Sequence, residues 1–150
     1  MIENKVALIT GVSSGIGRET AQLLTERGAR VFGTVTDLGC ADPTAKFEFV
    51  LMDVTDDKSV KDAAESVLEN AARIDTLINN AGYSIAGGLE ETSIEEARQL
   101  FDTNFFGVLR VIQAVLPSMR RHGYGYGGYP YDNYGYGGYS YYGGPGYGYR

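Results

Sequence analysis

Eight residues near the N-terminus, Thr10-Gly11-Val12-Ser13-Ser14-Gly15-Ile16-Gly17, carry glycines with the spacing G-x-x-x-G-x-G. Each glycine has a separate use in such a turn. Gly11 lets the chain leave a strand sharply. Gly15 removes a side chain where a pyrophosphate must approach the backbone. Gly17 allows the next helix to pack closely. The helix that starts here offers free N–H groups and a positive dipole end to an anion. Ser13 and Ser14 add hydroxyl donors. A glycine-rich turn in isolation is weak grounds for a phosphate site, so its context decides.

That context is supplied by the flanking elements. Residues 5–10, KVALIT, are a short apolar run ended by Gly11, as for a strand buried on both faces. Residues 15–27 follow as a helix with Ile16, Ala21, Leu23 and Leu24 on its apolar face, and Gly28 at its C-terminal end. Strands are predicted at 30–35, 47–52 and 74–79, and a helix at about 57–72, with Thr55 or Asp56 as its N-cap. The stretch 36–46 is too short for a full crossover helix, though it could hold a helical turn. Ser93 three residues before Glu96 has the spacing of a capping box. It opens a long helix predicted over 94–121, interrupted by Gly107 and kinked or ended by Pro117. The alternation β-α-β-β-α-β-α predicts an α/β fold with a doubly wound parallel sheet and right-handed crossovers.

The 150 residues divide sharply in composition. Eleven of the 12 tyrosines and 10 of the 21 glycines lie in 124–150. That stretch contains no aliphatic residue and repeats YGYGGY at 124–129 and 134–139, so it reads as a disordered low-complexity tail. Residues 1–123 are the domain. The net charge of −6 resides there, with no basic stripe for nucleic acid. One Cys, Cys40, and one His, His122, give no expected metal site. No apolar run reaches membrane-spanning length and no leader pattern begins the chain, so a cytoplasmic protein without membrane partners is expected.

Four features in order resemble the short-chain dehydrogenases/reductases across roughly residues 4–123. TGVSSGIG (10–17) looks like that family's cofactor turn. Asp53-Val54 looks like its adenine-pocket pair. Asn79-Asn80-Ala81-Gly82 looks like its NNAG motif, and Asn104 in DTNFFG matches the asparagine of its active-site tetrad. The resemblance implies a Rossmann-like domain and NAD(P)-dependent interconversion of alcohols and carbonyls. It implies cofactor contacts at Gly11, Ser13, Ser14, Gly15, Ile16, Gly17, Thr36, Asp53, Val54, Asn80, Ala81 and Gly82, with Asn104 as a catalytic-site residue. Val35 sits where an NAD-type acid would fall and Thr36 where an NADP-type arginine commonly falls. The missing acid favours NADP over NAD, Asp37 opposes a phosphate, and Arg18 could assist one.

The family's Tyr-x-x-x-Lys is not matched. The last lysine is Lys61, so no tyrosine has a lysine four positions on. The sheet is therefore expected to be truncated after its fourth strand, leaving an exposed apolar edge. Three readings stand: a short-chain oxidoreductase by ancestry that is inactive as given; a non-catalytic nucleotide-binding fragment; or a self-associating protein. Self-association would use the strand-four edge, the 94–121 helix or the Gly/Tyr tail. An abrupt junction after Gly123 also fits an artefactual or synthetic fusion.

Overall fold

The computed structural model describes residues 2–88 and 90–123, and the expected tail at 124–150 lies outside the described residues. Four parallel strands form one sheet in the order β3-β2-β1-β4. They are β1 (Val6–Ile9), β2 (Arg30–Val35), β3 (Glu48–Leu51) and β4 (Thr76–Ile78). The chain steps outward from β1 through β2 to β3, then crosses back to pair β4 on the other side of β1. This reversal opens a crevice beyond the C-terminal ends of β1 and β4, where α/β sheets bind ligands.

Alternation along β1 sends Val6 and Leu8 to one face and Ala7 and Ile9 to the other, and all four are buried. Helix α1 (Gly15–Glu26) covers the Ala7 and Ile9 face, contributing Ala21. Helix α2 (Asp57–Ala71) covers the Val6 and Leu8 face with Val60, Ala63, Ala64 and Val67. Asp56 is its N-cap, accepting from the Ser59 N–H. A single 3-10 turn, Leu38–Cys40, occupies the segment between β2 and β3.

The predicted helix 94–121 is three pieces: α3 (Ile94–Phe101), a π-helical segment (Asp102–Phe106) and α4 (Gly107–Arg121). The Ser93–Glu96 capping box opens α3, both reciprocal bonds being formed. Pro117 does not end α4. The carbonyl it leaves without a donor is that of Gln113, an exposed residue, while buried Val111, Val115 and Ser118 hold the neighbouring turns to the core. Ile16, predicted for the apolar face of α1, is instead 80% exposed. Its position in the first turn carries it past the sheet onto the rim of the crevice. Phe101, Phe105 and Phe106 are about half exposed. Among the described residues no helix is long and apolar enough to cross a membrane.

Candidate functional site

A cleft of about 580 Å³ lies in the crevice. The turn after β1 supplies Gly11, Ser13, Ser14 and Ile16; the end of β2 supplies Val35 and Thr36; the loop after β3 supplies Asp53 and Val54. The loop after β4 closes it with Asn80, Ala81, Gly82 and Tyr83, and Thr103 of the π segment adds a last contact. Four loops distant in sequence thus meet where the topology reverses.

The glycine turn is shaped by its neighbours. Thr10, buried at the end of β1, accepts at Oγ1 from the backbone N–H of Asn80 (2.9 Å) and Ala81 (3.0 Å). The Asn80 amide donates to the carbonyls of Thr10 (3.0 Å) and Gly11 (2.8 Å). Gly17 packs directly beneath: a Cβ there would lie 2.3 Å from both Asn80 Nδ2 and the Gly11 oxygen. Gly17 therefore admits the Asn80 clamp, a closer contact than the helix–sheet packing expected of it.

Gly15 has the opposite surroundings. Its φ is +60°, and a Cβ there would meet nothing within 4 Å. Ser14 is the N-cap of α1, yet its hydroxyl makes no cap hydrogen bond. The first N–H groups of α1 and the Ser14 hydroxyl are thus not used by a side-chain cap. An anion at this point would meet backbone donors, a hydroxyl and the positive end of a helix dipole.

At the other end of the cleft Asp53 makes a tight local turn, its Oδ1 accepting from the Thr55 N–H (2.9 Å) and hydroxyl (2.7 Å). At the end of β2, Val35 is buried and Thr36 exposed. Asp37 caps the 3-10 turn, accepting from the Gly39 N–H at 2.8 Å, and is not a cleft-lining residue. Arg18 pairs with Asp42 in the loop between β2 and β3. The Thr44 hydroxyl and N–H, and Arg18 with them, hold the Asp42 carboxyl below the usual carboxylate range.

Asn104 lies in the π segment, and its side chain is turned to the backbone. Its Oδ1 accepts from the Tyr83 N–H (3.0 Å), and its Nδ2 donates to the Tyr83 carbonyl (2.7 Å). A Cβ on Gly82 would lie 2.8 Å from that Oδ1. Asn104 therefore fixes the loop after β4, and π segments are frequent where such local re-aiming is needed. Thr10 belongs to the glycine motif but has no role assigned by the sequence, and Thr103 and Arg110 are not marked by it. A hydroxyl directly before the first glycine is a readable signal for Thr10. Nothing local marks Thr103 or Arg110, whose partners come from elsewhere in the fold.

A family model for short chain dehydrogenase matches residues 5–126. The chain belongs to the short-chain dehydrogenase/reductase family. It is 42% identical over 120 residues to a 3-ketodihydrosphingosine reductase of Bacteroides thetaiotaomicron, covering 80% of this chain and 44% of that protein. It is 35% identical over 128 residues to the 3-oxoacyl-(acyl-carrier-protein) reductase FabG of Escherichia coli, covering 81% and 52%. A short-chain dehydrogenase from Streptomyces avermitilis superimposes with a TM-score of 0.75 at 39% identity, over 82% of this chain and 47% of that one. The chain spans about half the length of the curated relatives it matches. The sheet order and the position of the cleft are those of a Rossmann-like domain.

Proposed function

We propose that these residues form the cofactor-binding half of a short-chain oxidoreductase and hold a nicotinamide dinucleotide, NADP(H) in preference to NAD(H). The observation that carries this reading is the open cradle at Gly15, bounded by the uncapped N-terminus of α1 and the Ser14 hydroxyl. The pyrophosphate is held by α1's first N–H groups with Ser13 and Ser14. Asp53 and Val54 face the adenine, and Thr36 faces its ribose. Asn80 holds the turn in shape through Thr10 and Gly11, while Ala81, Gly82 and Tyr83 wall the nicotinamide side. Asn104 belongs to the active site as the residue that fixes this last wall.

The preference for NADP(H) follows from charge. A carboxylate at the end of β2 would bind a ribose 2′-hydroxyl and repel a 2′-phosphate. Val35 and Thr36 supply none, and Asp37 is spent on the 3-10 turn. Arg18 stands in the first turn of α1, paired with a carboxylate that a phosphate could replace.

A dinucleotide held here would supply hydride exchange with a carbonyl or alcohol carbon. The oxygen left behind must then exchange a proton, and an ordinary tyrosine hydroxyl with pKa ~10 does this poorly at neutral pH without a nearby cation. Residues 1–150 contain no tyrosine followed four positions later by lysine. We propose that these 150 residues bind the dinucleotide without completing the proton transfer. Titration with NADPH and with NADH, followed by nicotinamide fluorescence, tests both points. Saturable binding tighter for NADPH, with no turnover of ketone substrates, is the expected result. Absence of binding, or measurable turnover, overturns the respective part.

A further inference from the structure

Arg110, in the first turn of α4, joins three separate elements. Its Nε donates to Asp57 at the start of α2 (2.7 Å), and its Nη2 to the Asp102 carboxylate in the π segment (2.8 Å). Its Nη1 reaches the carbonyls of Val54 and Asp102, both at 3.3 Å. The side chain is only 24% exposed, and the two carboxylates hold its guanidinium more firmly protonated than usual. Arginine's rigid fork suits such a multi-point junction better than a point charge does.

Arg110, Asp57 and Asp102 are not themselves among the residues that line the cleft. Val54 lines the cleft after β3, and so does Thr103, next to Asp102. One residue further, Asn104 holds Tyr83, which also lines it. A second contact braces the same joint: a Cβ on Gly107 would lie 2.8 Å from Val54 Cγ2, so α4 rests directly on the Val54 wall. We propose that Arg110 is a positioning residue for dinucleotide binding, locking the wall at Val54 to the wall carried by Thr103, Asn104 and Tyr83. The two stretches of lining are then held in one fixed relation, suited to a ligand that touches both. This inference rests on the dinucleotide reading above.

The test compares Arg110→Met, Arg110→Lys and a control, Arg30→Met. Arg30 also bridges elements, through Glu48 and the Asn70 carbonyl, but away from the cleft. NADPH is titrated by fluorescence, and 2′,5′-ADP, which spans only the adenine side, by competition. Arg110→Met is expected to weaken NADPH by roughly tenfold and 2′,5′-ADP by less than about threefold. Arg110→Lys is expected to fall between Arg110→Met and the parent, and Arg30→Met to bind NADPH as the parent does at any cost in Tm. If Arg110→Met does not fold, Asp102→Asn, which loosens one arm of the junction, is expected to show the same split between the two probes. Unchanged NADPH affinity in the Arg110 variants, or equal losses for both probes, overturns the inference and leaves the dinucleotide reading intact. A parent protein that binds neither probe overturns the dinucleotide reading itself.

Discussion

Gly15 and Gly17 lie two residues apart in the same turn, yet replacing each with alanine should have different consequences. At Gly17 the added methyl would sit 2.3 Å from Asn80 Nδ2 and 2.3 Å from the Gly11 carbonyl oxygen. The methyl overlaps both, so the turn's backbone has to shift and the Asn80 amide is displaced with it. That breaks its bonds to the Thr10 and Gly11 carbonyls. Stranding partly buried carbonyls costs about 1–3 kcal/mol, and the overpacking itself costs about 1–3 kcal/mol. The sum, about 2–6 kcal/mol, lowers Tm by on the order of 10 °C for a chain of this size. At Gly15 the methyl meets nothing within 4 Å, and the cost is that of φ +60° for a residue with a Cβ. That is about 1–2 kcal/mol. Gly15→Ala is therefore expected to fold with a small loss of Tm and to lose dinucleotide affinity, because the methyl stands where a phosphate must approach. Differential scanning fluorimetry gives Tm, and NADPH fluorescence gives affinity. A Gly17→Ala protein melting within about 2 °C of the parent, or a Gly15→Ala protein binding NADPH unchanged, refutes the reasoning.

Three further outcomes follow from the geometry. Asn104→Ala removes both the acceptor of the Tyr83 N–H and the donor to the Tyr83 carbonyl, so the loop after β4 loosens; amide hydrogen exchange at Tyr83 should rise about tenfold, for a local cost of about 1–2 kcal/mol. Asp75→Ala removes a carboxylate, 1% exposed, whose Oδ2 accepts from the Val6 N–H at 2.7 Å and pairs with Arg73; urea unfolding should show a loss of about 2–4 kcal/mol. Ser93 holds the Glu96 carboxyl below the usual carboxylate range through its hydroxyl and N–H. Because the folded pKa is the lower one, this stabilisation is complete above the unfolded value of about 4.3 and is lost as pH falls through the folded value. Glu96→Gln should therefore be less stable than the parent at pH 7, with the gap closing below about pH 4, as melts across that range will show.

The sheet was legible because burial on both faces writes continuous apolar runs, as at Val6–Ile9, and because Gly11 ends the first run so abruptly. The glycine turn was legible for a related reason: phosphate approach and close packing both demand the absence of a side chain. The π segment was not. An i→i+5 bond pattern over Asp102–Phe106 leaves the apolar spacing of the helix nearly unchanged, so periodicity reads straight through it. Pro117 does not end the helix, because that outcome depends on which carbonyl is stranded, and Gln113 is exposed. Ile16 misled because helical spacing cannot show where the sheet beneath the helix stops. The motif asparagines were found, but not what they hold. Asn80 grips Thr10 and Gly11, and Asn104 grips Tyr83, across 69 to 70 and 21 residues of sequence respectively. Such partners are set by the reversal of strand order between β1 and β4.

The central claim is that the turn at 10–17 is a working dinucleotide cradle. Its most direct test is thermal unfolding of the purified 150-residue chain, alone and with millimolar NADP⁺ or NAD⁺. A ligand that binds only the folded state raises the midpoint by mass action. One cooperative transition is expected, moved upward by NADP⁺ more than by NAD⁺, with the shift abolished by Gly15→Ala. A cooperative transition that neither dinucleotide moves would contradict the claim.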